Sequence, residues 1–401
     1  MRILHLVLVL TVIAPLSRAH AQEAPPPAHQ HPGSEPPQNA WSWTSDANLF
    51  FGYNYQQRKF TDFSVWESQN WFMLAGQRRV GRGELTVDGM LSLEPFTLEA
   101  LGSPQVFQTG EHYRGGPLID YQHPHDLLMG LGATYRVVHR GVGYVFEADL
   151  VGPPALGPTT FMHRESARNN PEAPLTHHYL DSTHATPGVV RAGIKWGGLV
   201  VDGSWFRGRE PDDNRLNIDR PWLDSWSLRT SWQRGPWQAQ VSGARLQRPE
   251  FYSYNDMTRL TASIIFTGTL GSRPTAATLA WGENREVHGI LDGYLLEWDV
   301  QMTPRGSLYG RLEAAAKDLL DLGGLEPPGF VQFHRISHVG AFTLGYLREI
   351  SQRSWGRVGL GGDLTVYHVP ENMLEYYGAP HSFHVFLRYR PSIATSMRHR
   401  H

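Results

Sequence analysis

The sequence predicts an all-β chain folded as a single transmembrane antiparallel β-barrel of about sixteen strands, with short turns at one end and long loops at the other. Three observations predict it. Beyond the N-terminal segment, apolar and polar residues alternate over stretches of about ten residues, the length a tilted strand needs to cross a hydrocarbon layer, whereas ordinary strands average about five or six. The connections between these stretches are alternately brief and long. No apolar run after the N-terminal segment reaches the roughly 20 residues of a spanning helix, which leaves closed strand structure as the way across.

In chain order, Arg2 precedes an apolar stretch from Ile3 to Leu16, and Ala19-His20-Ala21 forms the small-x-small pattern that signal peptidase cuts. Residues 1–21 therefore read as a signal peptide, and the exported chain starts near Gln22. His5 and Pro15 interrupt the run, which is short for a membrane anchor. Cys is 0, so lipid attachment at a cysteine is excluded. Residues 22–40 carry Pro25-Pro26-Pro27, Pro32, Pro36 and Pro37 and read as a disordered Pro/His-rich periplasmic lead. The barrel takes 41–390 and a C-terminal tail 391–401.

The expected strands are 47–57, 68–79, 82–93, 128–138, 142–151, 185–195, 198–207, 224–233, 237–246, 257–267, 273–283, 290–301, 306–316, 338–349, 355–366 and 382–390. Turns such as Gly197-Gly198 and Arg234-Gly235-Pro236 interleave with the long loops 94–127, 152–184, 208–223, 317–337 and 367–381. Trp226, Leu228, Thr230 and Trp232 share one face of their strand, and Ser227, Arg229 and Ser231 the other. Tyr294, Leu296, Trp298 and Val300 likewise oppose Glu297, Asp299 and Gln301. A soluble periplasmic β-protein alternates in the same way, so strand length carries the membrane assignment. Trp196, Trp205, Trp222, Trp237, Trp281 and Trp355 fall near strand ends, where interfacial aromatic girdles lie; tryptophans in a core are the alternative.

The last strand places Phe383, Val385, Leu387 and Tyr389 on one face. It resembles the aromatic-ended closing strand read by the outer-membrane barrel-assembly machinery, although Pro391 starts a tail where such strands end in Phe or Trp. With this strand, residues 41–390 resemble bacterial outer-membrane porins and related barrel transporters in pattern, without a diagnostic motif. The resemblance implies a Sec-exported Gram-negative outer-membrane protein, trimeric or monomeric, among membrane lipids and lipopolysaccharide, that passes small polar solutes. It carries over no functional residue.

A net charge of -2 argues against a nucleic-acid partner. The 20 histidines concentrate in the lead, the long loops and the tail. His123, His125 and Asp126 close one long loop; His163, His177, His178, Asp181 and His184 crowd the next; His334, His338, His368, His381 and His384 lie near the last two. Imidazoles and carboxylates of the first two groups could converge on Zn²⁺ or Cu²⁺, or hold inward-folded loops by hydrogen bonds. No thiolate and no helical His-x-x-x-His supports the metal reading.

Arg191, Arg229, Arg259, Arg311, Arg357 and Arg388 fall on the inner faces of their strands, opposite Glu147, Asp149, Glu297, Asp299, Glu313 and Asp363. This set would line a polar lumen, open or closed. Arg207, Arg209, Glu210, Asp212, Asp213, Arg215, Asp219 and Arg220 in a further loop would set a transverse field at the mouth or form loop salt bridges. Asp181, Ser182 and His184 supply the residue types of a lipid hydrolase, but neighbouring positions rarely give triad geometry. The expected function is passage of small polar solutes or ions, without catalysis, through a barrel whose loops 94–127 and 152–184 fold inward and set selectivity. A metal-binding outer-membrane or export component and a lipid hydrolase are the alternatives.

Overall fold

The computed structural model of the chain describes residues 40–392 apart from Glu111, 250–254, His288 and 319–335. The expected signal peptide, the expected lead as far as residue 39, His334 and the tail after 392 lie outside the described residues. Sixteen antiparallel staves follow in chain order: β1 (Ser42–Arg58), β2 (Thr61–Glu67 continued by Asn70–Val80), β3 (Gly83–Leu91), β4 (Leu128–His139), β5 (Val142–Gly152), β6 (Thr186–Trp196), β7 (Leu199–Phe206) and β8 (Ser225–Arg234). Then come β9 (Trp237–Leu246), β10 (Met257–Leu270), β11 (Arg273–Glu286), β12 (Gly289–Thr303), β13 (Gly306–Asp318), β14 (Ile336–Arg353), β15 (Gly356–His368) and β16 (His381–Pro391). Each pairs with its chain neighbours, and β16 closes the barrel on β1 from Leu49↔Tyr389 to Gln57↔His381. β2 is one stave because its two pieces pair with successive halves of β1, the break falling at Ser68-Gln69. Every expected strand is a stave, several of them longer than expected: β14 runs over 336–353 rather than 338–349.

Two-residue turns occupy one end of the barrel. Gly81, Gly197, Gly235 and Gly271 open four of them at φ 58°, 56°, 56° and 63°, the left-handed first position of a type II′ turn, whose twist matches that of the strands. The other end bears 92–127, 153–185, 207–224, 247–256 and 369–380, although 59–60 and 287–288 there are as short as a turn; the expected loop 317–337 falls mainly outside the described residues.

Outside the barrel is apolar. Leu279 is 57% exposed while Thr278 beside it, pointing inward, is 0% exposed. Trp226, Leu228, Val241, Ile264, Leu296, Leu344, Leu360, Val385 and Leu387 are likewise exposed on the outer face. A continuous belt of this kind is stable only against hydrocarbon. Trp196, Trp205, Trp222, Trp237 and Trp355 are exposed near the stave ends, as a girdle requires, rather than buried as core residues, whereas Trp281 is half-buried partway along β11.

Candidate functional site within the barrel

The interior is occupied by chain. Loop 153–185 enters the lumen and bonds to opposite walls. At one side the Ala155 N–H donates to Ser204 Oγ on β7 (2.9 Å) and the Gly157 N–H to Ser242 Oγ on β9 (2.9 Å). At the other, Gln56 Nε2 on β1 donates to Glu172 (2.6 Å), and Arg388 on β16 donates to Asn169. Between them, Arg164 donates to Asp181 (2.6 Å) within the loop and to Glu297 (3.1 Å) on β12, while Arg168 reaches Asp299 (2.9 Å).

The helical turn His177–Leu180 lies on β11–β13, where Gly282, Gly293 and Ala315 are laterally paired and face inward. A Cβ on Gly293 would stand 2.7 Å from Tyr179 Cδ2 and 2.9 Å from Thr176 Cγ2, and one on Gly282 would collide with the Tyr179 carbonyl. The row of small residues is therefore a seat for the loop. Loop 92–127 folds in above it: Gln105 and Gln108 donate to the Ala173 and Pro174 carbonyls, and Phe107 stacks on Tyr377 of loop 369–380. Val106, Phe107, Leu175, Tyr179, Met373 and Tyr377 form an apolar core inside the loop end.

The expected lumen charges face inward and are mostly paired. Arg191 pairs with Glu147, and Arg229 with Asp202 (2.8 Å), a partner that sequence reasoning missed. Asp149 lies on the same wall against Gly132 and Gly152. Several of the others bond loop 153–185. Arg259 donates to Ser182 (2.9 Å), and Arg311 to Glu297 (3.0 Å) and the Glu172 carbonyl (3.1 Å). Glu313 accepts from Thr176, and Asp299 from Asn169. Asp363 is bonded by Tyr309 (2.8 Å) and His384 (2.7 Å). Arg357 differs in being exposed, at the turn end, where it lines a small cavity with Arg305 and Arg390.

The eight candidate metal ligands do not form one cluster. His163 sits apart, its ring 4.7 Å from Trp71. Asp126 is taken by Arg215 (3.3 Å); burial raises its carboxyl to about 6 against that cation's pull. His178 faces Glu210 (3.6 Å), and the His123 ring is 6.3 Å from that of His125. His125, His177 and His184 do gather. His125 Nδ1 is 2.7 Å from Glu94, a buried carboxylate that sequence reasoning missed, and His177 Nδ1 is 2.7 Å from Asp181. Burial pushes His184 well below the ordinary imidazole range, and His125 and His177 add to the shift. Burial would raise Asp181, yet Arg164 and His177 hold it well below the usual carboxylate range.

The charged loop 207–224 is tied up in salt bridges, Arg207 with Asp219 (3.1 Å) and Arg215 with Asp126 of the neighbouring loop. Asp181, Ser182 and His184 do not form a relay. Ser182 accepts from Arg259, the Asp181 carboxylate is held by Arg164 and His177, and His184 bonds the Asp181 backbone carbonyl. A cavity of about 310 Å³ lies by β6–β10, lined by Thr159, Lys195, Arg229, Gln233, Gln238 and Gln240 among others.

No protein-family model matches the chain, and no curated protein matches it. Solved structures do. The anion-selective porin from Comamonas acidovorans superposes with a TM-score of 0.51 at 12% identity over 88% of this chain and 100% of that one. Salmonella typhi OmpF, in complex with daunomycin, gives 0.53 at 9% identity over 88% and 98%, and Pseudomonas putida OprB 0.52 at 10% over 88% and 94%. At such identities the likeness is one of fold, and the chain has the fold of the bacterial outer-membrane porins.

Proposed function

We propose that the protein is an outer-membrane channel for ions and small polar solutes, its bore narrowed by loops 92–127 and 153–185 to a route along β6–β10. The observation that supports this reading is the space left beside the plug. Loop 153–185 is bonded to β1, β11–β13 and β16 and also, through Ser204, Arg229, Ser242 and Arg259, to β7–β10, yet a cavity beside β6–β10 keeps Lys195, Arg229 and three glutamine side chains on its lining. On this reading Arg229 lines the route, and Glu147, Asp149 and Arg191 stand on the adjoining β5–β6 wall. Arg259, Glu297, Asp299, Arg311, Glu313, Asp363 and Arg388 hold the plug in place, and Arg357 stands at the turn-end mouth. Lipid and lipopolysaccharide cover the belt, the barrel-assembly machinery reads β16, and the protein assembles as a homotrimer. No catalytic step is assigned, because Ser182 is engaged by Arg259 rather than by a base.

Reversal potentials in a KCl gradient test the route. Arg229→Glu reverses the charge in the cavity and shifts permeability toward cations; the same reversal at Arg388, within the plug's anchor, leaves the charge preference of the residual route unchanged. Equal selectivity in the parent and Arg229→Glu would place the route elsewhere.

A further inference from the structure

The two lumen loops meet at three histidines, His125 from the end of loop 92–127 and His177 and His184 from loop 153–185. The ring centres of His125 and His184 are 5.2 Å apart, and those of His177 and His184 are 5.3 Å apart. Two imidazoles on one tetrahedral ion, with metal–nitrogen distances of about 2.0–2.1 Å, have ring centres about 5 Å apart. The two observed spacings are close to that figure, so the rings stand within reach of a shared ion.

Hydrogen bonding at the other nitrogen points the same way. His184 Nδ1 is 3.0 Å from the Asp181 carbonyl oxygen, which can only accept, so Nδ1 carries the proton and Nε2 the lone pair. The Nδ1 atoms of His125 and His177 rest on Glu94 and Asp181 carboxylates. A carboxylate or backbone carbonyl behind each imidazole is the usual outer shell of metal-bound histidine. Among the described residues the buried Nε2 atoms of His125 and His184 have no hydrogen-bond partner, and an orphaned buried acceptor of this kind is one that a bound ion would satisfy.

We infer that His125, His177 and His184 bind a divalent transition-metal ion, Zn²⁺ or Cu²⁺, through Nε2, and that the ion staples loop 92–127 to loop 153–185 inside the barrel. Three imidazoles without a thiolate suit these ions. Among the described residues no three such side chains already converge on one point, so binding draws the rings inward by side-chain rotation, for which the half-buried His184 has the most freedom. The site does not depend on solute passage.

The test uses the full chain in detergent, stripped with chelator and titrated by calorimetry with ZnCl₂ or CuCl₂ alone, with Co²⁺ absorption reporting coordination. Histidines of the lead and tail are present in every variant and cancel in the difference. His184→Ala and His125→Asn each lose one equivalent and the tetrahedral Co²⁺ band; His163→Ala, altered only at the ring packed on Trp71, keeps both. Glu94→Gln retains an acceptor oxygen behind His125 and should bind about 10–100-fold more weakly at unchanged stoichiometry. Heat-modifiable migration confirms the barrel in each variant. The inference is overturned if the parent, His184→Ala and Glu94→Gln bind the same number of ions with the same affinity, ions then being held by the terminal histidines alone.

Discussion

Replacing Arg164 by Met tests how loop 153–185 is held. The guanidinium is fully buried, with Nη1 2.6 Å from Asp181 and 3.0 Å from the Thr159 carbonyl and with Nε 3.1 Å from Glu297 on β12. Removing one partner of a buried ion pair costs about 3–5 kcal/mol, chiefly because the other charge is left uncompensated. Here neither carboxylate is left alone, since Asp181 keeps His177 and the Phe161 N–H, and Glu297 keeps Arg311 and Ser166. The lower bound applies, about 3 kcal/mol, or on the order of 100-fold in the equilibrium between docked and released loop. The stave ladder loses nothing, as Glu297 still pairs with Thr278 and Arg311 across β11–β13. Amide hydrogen exchange in detergent should therefore accelerate on the order of 100-fold over 153–185 and stay unchanged in β10–β13. Unaltered loop exchange, or equal loss of protection in the staves, would refute the assignment of Arg164 as an anchor of the plug rather than of the barrel.

Gly293→Leu puts a side chain where Tyr179 and Thr176 now lie, and should expose the loop to trypsin at Arg164 and Arg168 in a barrel that still migrates as heat-modifiable; continued resistance would mean that the glycine seat is dispensable. Leu279→Arg on the outer face should cost roughly 2–4 kcal/mol in urea unfolding from bilayers if that position sits near the midplane, and a neutral result would remove β11 from the hydrocarbon. Burial raises the Asp120 carboxyl against the opposing pull of Arg58, so the docked loop 92–127 retains a proton that the released loop gives up. Docking is then firmest below the unfolded value of about 3.9 and weakens as pH rises through the raised folded value, a dependence that Asp120→Asn should flatten in exchange rates corrected for intrinsic chemistry; an unchanged slope would assign it to another group.

The barrel was legible because its two constraints repeat along the chain. Each stave must place water-facing and lipid-facing residues on alternate positions, as Ser227 and Leu228 or Thr278 and Leu279 do, and each turn must reverse the chain in two residues. Inner-face charge was legible for the same reason. Its role was less so, because Arg311 and Glu297 read identically from sequence whether they face solvent or a plug. The plug's own ligands, Arg164, Arg168, Asn169 and Glu172, sit in a loop without periodicity, where spacing says nothing about direction. One signal was present: Gly282 and Gly293 occupy inward positions in staves otherwise filled with larger side chains, and small inward residues on neighbouring staves mark a place where another segment approaches. Among the histidines, sequence density grouped His163 with His177, but their contacts separate them, His163 packing on Trp71 of the β2 wall and His177 bonding Asp181 within its own loop.

The most direct test of a plugged channel is single-channel conductance in planar bilayers, comparing the purified protein with a variant in which residues 161–180 are replaced by a short Gly-Ser linker. The parent should give small steps from the route beside β6–β10, and the variant steps at least several-fold larger, on the nanosiemens scale expected when the lumen of a barrel of this size is cleared. Equal steps in the two, or silence from both despite heat-modifiable barrels, would contradict the account.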